Sequence, residues 1–252
     1  MICLDAIVES AIPAGATAPR RDGRGLVVAA IGSGGKSTLL RSLADEAVAA
    51  GRTAILATTT HFLPFEGIMT VGSESEFEIG RRIEAQRVIC AAMAASSAKD
   101  AGKLGPSSVG ADRLARLADY VLVEADGSKR LPLKAHAEHE PVVPACADVT
   151  ALVLGASGFG KNVAEAVHRP EIFCELAGCE AEDVTTPELV AKAIWAEMAA
   201  GAIAPTLVIV NQAETDEAKS QAAELARALA ARDAALPVYA GSVRSHSLEK
   251  FG

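Results

Sequence analysis

The segment Gly32-Ser33-Gly34-Gly35-Lys36-Ser37-Thr38 sets three glycines, a lysine and two hydroxyls directly after the apolar run 26–31. Glycines let a backbone curl tightly and aim its N–H groups at an anion. A helix starting near Lys36 would add the positive end of its dipole to the same spot. Lys36 would then offset the charge of the β- and γ-phosphates of a nucleoside triphosphate, and the Ser37 hydroxyl would complete the shell of a Mg2+ ion. Gly32, Ser33, Gly34, Gly35, Lys36, Ser37 and Thr38 are therefore the candidate phosphate-binding residues. The common phosphate-loop spacing would place a first glycine where Ala30 stands, so this loop is a shortened form.

The spacing from Gly32 to Lys36 resembles the Gly-Thr-Asn-Gly-Lys-Ser/Thr turn of the Mur ligases, which bind ATP. A tight strand-to-helix turn could need glycines for geometry alone. It would not need a lysine followed by two hydroxyls.

Three further segments fall where a nucleotide-hydrolysing fold needs chemistry. "YVLVEADGS" (120–128) is an apolar strand ending in acids, and an acid at a strand end holds a metal directly or through water. Glu124 and Asp126 are two apart. Asp126 lies past the strand and is expected to turn inward as the metal residue beside Ser37, with Glu124 second. "ATTTH" (57–61) ends another strand, and Thr59 and Thr60 are candidates for positioning water or metal. "VIVNQAE" (208–214) offers Asn211, Gln212 and Glu214 for contact with a base; Gln212 and Glu214 stand where guanine-reading proteins carry Lys and Asp, which leaves ATP and GTP both open.

The stretch 126–146 has no clean period, and it holds three prolines and two histidines. A loop this long in a compact domain is usually functional or disordered, and its mixed composition favours function. Lys134, His136, His139 and Glu140 lie in it, with His168 and Arg169 further on in "VHRP". Together they are candidates for an anionic substrate or cofactor, or for a client protein. His136 and His139 would need a third ligand to share a metal.

These residues must be held by a scaffold, and the chain shows one. Runs 26–31, 53–59, 87–92, 120–125, 149–156, 206–211 and 236–241 are nearly continuous in apolar character, as strands covered on both faces are. Helices are expected after the glycine loop, with Leu39, Leu40, Leu43, Ala47 and Val48 inward and Gly51 as stop, from the Thr186-Pro187 cap to about Gly201, and over about 214–232. The expected architecture is α/β, P-loop NTPase-like, a mostly parallel sheet with helices on both faces, in a single domain over 1–252 with its core at about 24–243.

At 252 residues and 50% hydrophobic content the chain can bury a sizeable core, and its net charge of −8 argues against nucleic acid as a partner. No run approaches a membrane span. Five cysteines without a CxxC pair suggest free thiols in a reducing cytoplasm. The apolar start is interrupted by Asp5 and Glu9, with no basic residue ahead of it, so an export leader is not expected.

Taken in order, "GSGGKSTLL", "LATTTHF", "LVEADGSKRLPLKAHAEHEPVVP", "VLGASGFGK", "VHRPEIF" and "VIVNQAE" resemble the YqeC family over roughly residues 24–243. Its most specific stretch is "EADGSKRLPLKAHAEHEP". The family is described as accessory proteins of selenium-dependent molybdenum hydroxylases. The resemblance implies a P-loop NTPase fold and a role in hydroxylase maturation or cofactor insertion, with molybdopterin as a conceivable ligand. Ser37 stands where Thr is usual in the family, and Gln212-Ala213-Glu214 where Lys-x-Asp is common. The expected activity is Mg2+-dependent binding of ATP or GTP with slow hydrolysis. A small-molecule kinase or ligase, or a non-catalytic molybdopterin carrier, are the alternatives.

Overall fold

The computed structural model describes residues 4–12, 23–95 and 100–251. The tail of the apolar N-terminal stretch lies outside the described residues. Along the chain run α1 (Leu4–Ser10), β1 (Leu26–Gly32), α2 (Lys36–Ala49), β2 (Ala54–Thr58), β3 (Thr70–Val71), α3 (Glu76–Gln86), β4 (Val88–Ala94), β5 (Leu104–Pro106), α4 (Ala111–Leu114), β6 (Tyr120–Glu124) and β7 (Leu133–Lys134). There follow β8 (Val149–Gly155), α5 (Val163–Ala166), β9 (Val167–His168), α6 (Pro170–Ala177), α7 (Pro187–Ala199), β10 (Leu207–Asn211), α8 (Asp216–Ala230), β11 (Val238–Ser242) and β12 (Ser247–Phe251).

Each apolar run of the sequence is a strand of one sheet, ordered β12-β11-β10-β8-β1-β6-β2-β4-β3, with β5 beside β4. All neighbours pair parallel except β11 with β12 and β4 with β5. Every residue of β1, β2, β6, β8 and β10 is buried, because helices cover both faces. Val28, Ala30, Leu56 and Leu122 pack with Leu39, Leu40 and Leu43 of α2 on one face. On the other, Ala29, Ile31, Leu152 and Val208 meet α6, α7 and α8, and Val27, Ile55 and Val121 meet α3 and α4.

Helix ends follow their side chains. Gly51 takes φ +74°, and Arg52 N–H closes back on Ala47 O at 2.8 Å, which stops α2. Thr186 accepts from Leu189 N–H ahead of Pro187, and Thr215 accepts from Ala218 N–H, so α8 begins slightly later than periodicity suggested. The charged stretch 126–146 forms only the two-residue strand β7, which pairs parallel with β9.

This topology puts five strand ends on one edge. The chain leaves β1 through α2 on one face and leaves β8 through α6 and α7 on the other. In open α/β sheets the crevice at such a reversal, outside the carboxyl ends of the strands, is where ligands sit. Gly32, Glu124, Thr58, Gly155 and Asn211 are the last residues of the strands that frame it.

Candidate functional site

Between β1 and α2 the chain turns through Gly32, Gly34 and Gly35 at φ +90°, +83° and +129°. A Cβ at Gly34 would stand 2.1 Å from Gly155 N, and one at Gly35 would stand 2.3 Å from Asn211 Nδ2. Geometry therefore accounts for these glycines, and they do not by themselves mark a ligand. The side chains that follow are not so explained.

Lys36 is buried, its Nζ donating to Gly32 O at 2.6 Å and reaching Ser128 Oγ at 3.4 Å. Ser37 Oγ donates to Glu124 Oε2 at 2.6 Å. A cavity of about 270 Å3 opens over Gly34, Gly35, Lys36, Ser37, Thr38 and Glu124, walled by Ser128, Arg130 and Pro132, and by Ser157 with Gln212. The first-turn N–H groups of α2 have no intrahelical partner, which makes this cavity electropositive at its floor.

Strand parity places the two acids. Leu122 faces α2, so Glu124, two residues on in the same strand, faces the same way and meets Ser37. Its carboxyl is raised above the usual range: burial pushes it up, and Lys36 and the Ser37 hydrogen bond offset only part of that. Asp126 lies beyond the strand end and does turn inward, but into protein. Its Oδ2 accepts from Gly32 N–H at 2.8 Å and pairs with His136 Nε2 at 2.8 Å and Lys134 Nζ at 3.1 Å. Its Oδ1 lies 3.0 Å from Lys36 Nζ, an ion pair without the alignment of a hydrogen bond. Burial alone would raise the Asp126 carboxyl; the His136 hydrogen bond and the two lysines hold it well below the carboxylate range. Glu124, not Asp126, thus lies against the Ser37 hydroxyl.

The charged loop is drawn into the same network. His136 Nδ1 meets Glu197 Oε1 at 3.0 Å, and His136 N–H donates to that oxygen at 2.6 Å. Desolvation would lower the imidazole, but hydrogen bonds to Asp126 and Glu197 outweigh it and raise its pKa. Lys134 Nζ donates to Glu140 Oε2 at 2.6 Å, and Arg169 Nη1 donates to the same oxygen at 2.7 Å. Burial would raise Glu140, yet these two cations bring it down to about 2. A buried chain of charges therefore runs from the glycine loop through Asp126 and His136 to Glu197 on α7. Replacing such networks with apolar groups is often neutral or stabilising, so their use is to hold geometry.

Other expected site residues take different posts. Ser33 is buried and its hydroxyl donates to Leu131 O, pinning the charged loop to the glycine loop. Thr59 Oγ1 donates to Val142 O at 2.7 Å, and Thr60 N–H donates to Thr58 Oγ1 at 3.0 Å; neither threonine lines the cavity. Asn211 Nδ2 donates to Gly34 O at 2.8 Å and its Oδ1 accepts from Val243 N–H at 2.9 Å, so both ends of the amide are used. Gln212, at φ +65°, accepts from Ser157 Oγ at 2.5 Å on the cavity wall, while Glu214 is exposed. His139 is exposed in a turn, and both ring nitrogens of His136 are engaged; among the described residues no three His, Cys, Asp or Glu side chains are grouped to hold a metal. Cys90, Cys146, Cys174 and Cys179 are free thiols. No described helix is long and apolar enough to cross a membrane.

A family model described as "YqeC protein" matches residues 28–171, more than half of the chain. The chain belongs to the YqeC family. The match takes in the glycine loop, Glu124, Asp126, the whole charged loop and the His168-Arg169 pair. It stops short of Glu197, Asn211 and Gln212, and so is narrower than the resemblance read from the sequence. A protein of Escherichia coli (strain K12) described as "Uncharacterized protein YqeC" is 33% identical over 159 residues, or 62% of this chain and 62% of that protein. The chain thus matches somewhat under two thirds of that relative's length.

Ser128, Arg130, Ser157 and Glu197 escape a reading of the sequence. Ser128 and Arg130 lie within the stretch 126–146 flagged for its composition, so their neighbourhood was visible. Glu197 carried no signal: it is one acid on a largely apolar helix, 61 positions from the histidine it meets.

Proposed function

We propose that this YqeC family member is a P-loop NTPase-type protein that binds Mg2+ and a nucleoside triphosphate at Gly34–Thr38 and hydrolyses it slowly, in service of molybdenum hydroxylase maturation or cofactor insertion. One observation carries the nucleotide half of this reading. Glu124, with its carboxyl pushed up by burial, meets the Ser37 hydroxyl on the floor of a cavity that the start of α2 and Lys36 make attractive to anions. A buried carboxylate with unmet negative charge beside a hydroxyl is a donor set for a hard cation, and the amides and lysine beside it suit phosphate.

The residues present fit such a ligand. Ser37 and Glu124 would hold Mg2+, and Lys36 with the amides of Gly34, Gly35 and the first turn of α2 would hold the phosphates. The ion would supply neutralisation of phosphate charge. Asp126, held ionised by its partners, would keep the Lys36 ammonium aimed at the loop. Gln212 and Ser157, on the cavity wall beside Pro132, would suit a base. The hydroxylase role rests on the sequence resemblance alone.

A titration of wild type and Lys36→Ala with ATP and GTP, with Mg2+ and with EDTA, tests the reading. Saturable Mg2+-dependent binding that Lys36→Ala loses, followed by phosphate release, is the expected result. No nucleotide binding by the wild type would overturn it. For the client, cells lacking the chain should hold molybdenum hydroxylase with reduced cofactor loading, read by metal analysis of the purified hydroxylase.

A further inference from the structure

A second cleft, of about 400 Å3, lies beside the first and shares Ser37, Glu124, Ser128 and Arg130 with it. Its remaining wall brings His61, Leu63, Lys129 and His168 together from three separate segments of chain, with buried Phe62 behind them. Of its two acids, Glu140 is satisfied by Lys134 and Arg169, and Glu124 lies at the margin shared with the first cavity, where it accepts from Ser37 Oγ. Lys103, also on the wall, pairs with Asp100 at 2.8 Å. Lys129 and Arg130 have no hydrogen-bond or ion-pair partner among the described residues, and neither has the imidazole of His61 or of His168. The cleft is therefore locally cationic in a chain whose net charge is −8.

Backbone and electrostatics agree with that reading. Lys129 and Arg130 sit consecutively at φ +47° and +62°, a conformation that non-glycine residues take at a cost and that recurs at ligand sites. His168 is lowered to about 4 by burial and by the charges of Arg169, Lys134 and Lys129, as expected where cations outnumber the anions that would offset them. The exposed Leu63 side chain gives the cleft an apolar margin.

We propose that this cleft is a separate binding site for a small anionic molecule with an apolar part, a phosphomonoester in the first instance, held by Lys129 and Arg130 against Leu63 and His61. This deepens the nucleotide reading and rests on it in one respect: Ser37 and Glu124, where the two cavities meet, are the residues assigned to the metal and terminal-phosphate end. The second ligand would thus lie next to that end, as an acceptor or an effector does.

Phenyl phosphate is the probe, with benzoate and phenol as the carboxylate and neutral counterparts, titrated into isotope-labelled full-length protein and followed by NMR. Asparagine tolerates left-handed backbone, so Lys129→Asn/Arg130→Asn removes both charges with little strain. Saturable shifts at His61, Leu63 and His168 are expected. The double variant should weaken them about tenfold, and Lys36→Ala less than about threefold, since each lost contact is an exposed charge-assisted one. Benzoate binding as well as phenyl phosphate would assign the site to carboxylates within the same anionic class. Phenol binding equally well would overturn the proposal, as would an unaffected double variant. Displacement of phenyl phosphate by ATP or GTP would also overturn it, because the cleft would then be part of the nucleotide site. Should no nucleotide bind while phenyl phosphate still depends on Lys129 and Arg130, the nucleotide reading fails and the anion site stands.

Discussion

Ser37 Oγ and Glu124 Oε2 lie 2.6 Å apart, joining the first turn of α2 to the last residue of β6. Glu124 pairs in register with Ala30 on one side and Thr58 on the other, so its position is fixed from both neighbours. A carboxylate so rigidly placed, and so poorly solvated, gains most from a cation.

That arrangement predicts a trade between stability and binding. The folded pKa of Glu124 is raised above its unfolded value, so its contribution to stability is favourable below about 4.5 and is lost as pH rises through the folded value. Above that folded value the ionised group is a net cost. Glu124→Gln keeps an acceptor for Ser37 and removes the charge, and should raise Tm at pH 7 by about 2–4 °C, the shift about 1 kcal/mol gives in a chain of this size. The same variant should lose most of the Mg2+-dependent part of nucleotide affinity. Thermal unfolding in EDTA and calorimetry with and without Mg2+ check the two halves; a lowered Tm would refute the account of Glu124.

The Asp126–His136–Glu197 chain predicts a pH profile. The folded pKa of His136 is raised above 6.5, so its stabilising share is full below about 6.5 and fades as pH rises through the folded value. Asp126 acts at the other end: its share is present above about 3.8 and is lost as pH falls through its lowered folded value. His136→Gln leaves Asp126 facing Lys36 and Lys134, and Glu197 without a charged partner. It should cost about 3–5 kcal/mol at pH 6, as removal of one member of a buried ionic set does. That cost should shrink by pH 9. Urea unfolding of wild type and variant at both pH values gives the comparison, and a cost independent of pH would mean that His136 is neutral in the fold.

Much of the scaffold could be read from the chain because one physical cue dominated it. A strand buried on both faces has few polar residues, so "LVVAAI" and "TLVIVN" announce themselves. The short β3, β7 and β9 have no such run, and β12, at the sheet edge, is half exposed and polar. At the site, the loop residues were legible from type and spacing. The choice between Glu124 and Asp126 was not, since it depends on which face of the sheet α2 covers. Asn211 stands out in the sequence as a polar residue ending an apolar strand and reads there as a base contact, but what its amide touches is set by Gly34, 177 positions away.

Gly34→Ala isolates the turn from the chemistry. The added methyl would meet Gly155 backbone at 2.1 Å and sit at φ +83°, so two costs combine, each of order 1–3 kcal/mol. The variant should unfold at least about 2 kcal/mol more easily and lose nucleotide binding together with stability. Lys36→Ala, in contrast, leaves the turn intact and Asp126 still paired with Lys134 and His136, so it should lose binding while remaining folded, at a cost in stability that comes from the ion pair and not from the turn. Denaturant unfolding of the two variants side by side separates them.

Asn211 carries the last prediction. Its amide spans the gap between the glycine loop and the turn after β11, donating to Gly34 O at 2.8 Å and accepting from Val243 N–H at 2.9 Å. With both ends committed, the amide is held between Gly34 and Val243, and its effect on nucleotide binding passes through the position of Gly34. Asn211→Ala would leave the Val243 N–H buried without an acceptor, at about 1–3 kcal/mol, and would loosen the loop. Affinity for ATP and for GTP should therefore fall by the same factor, about tenfold, with the ratio between them unchanged. Gln212→Ala, on the cavity wall, should change that ratio instead. Parallel calorimetric titrations of both nucleotides into the two variants decide it: a shifted ratio in Asn211→Ala would mean that the amide leaves Gly34 to contact the base.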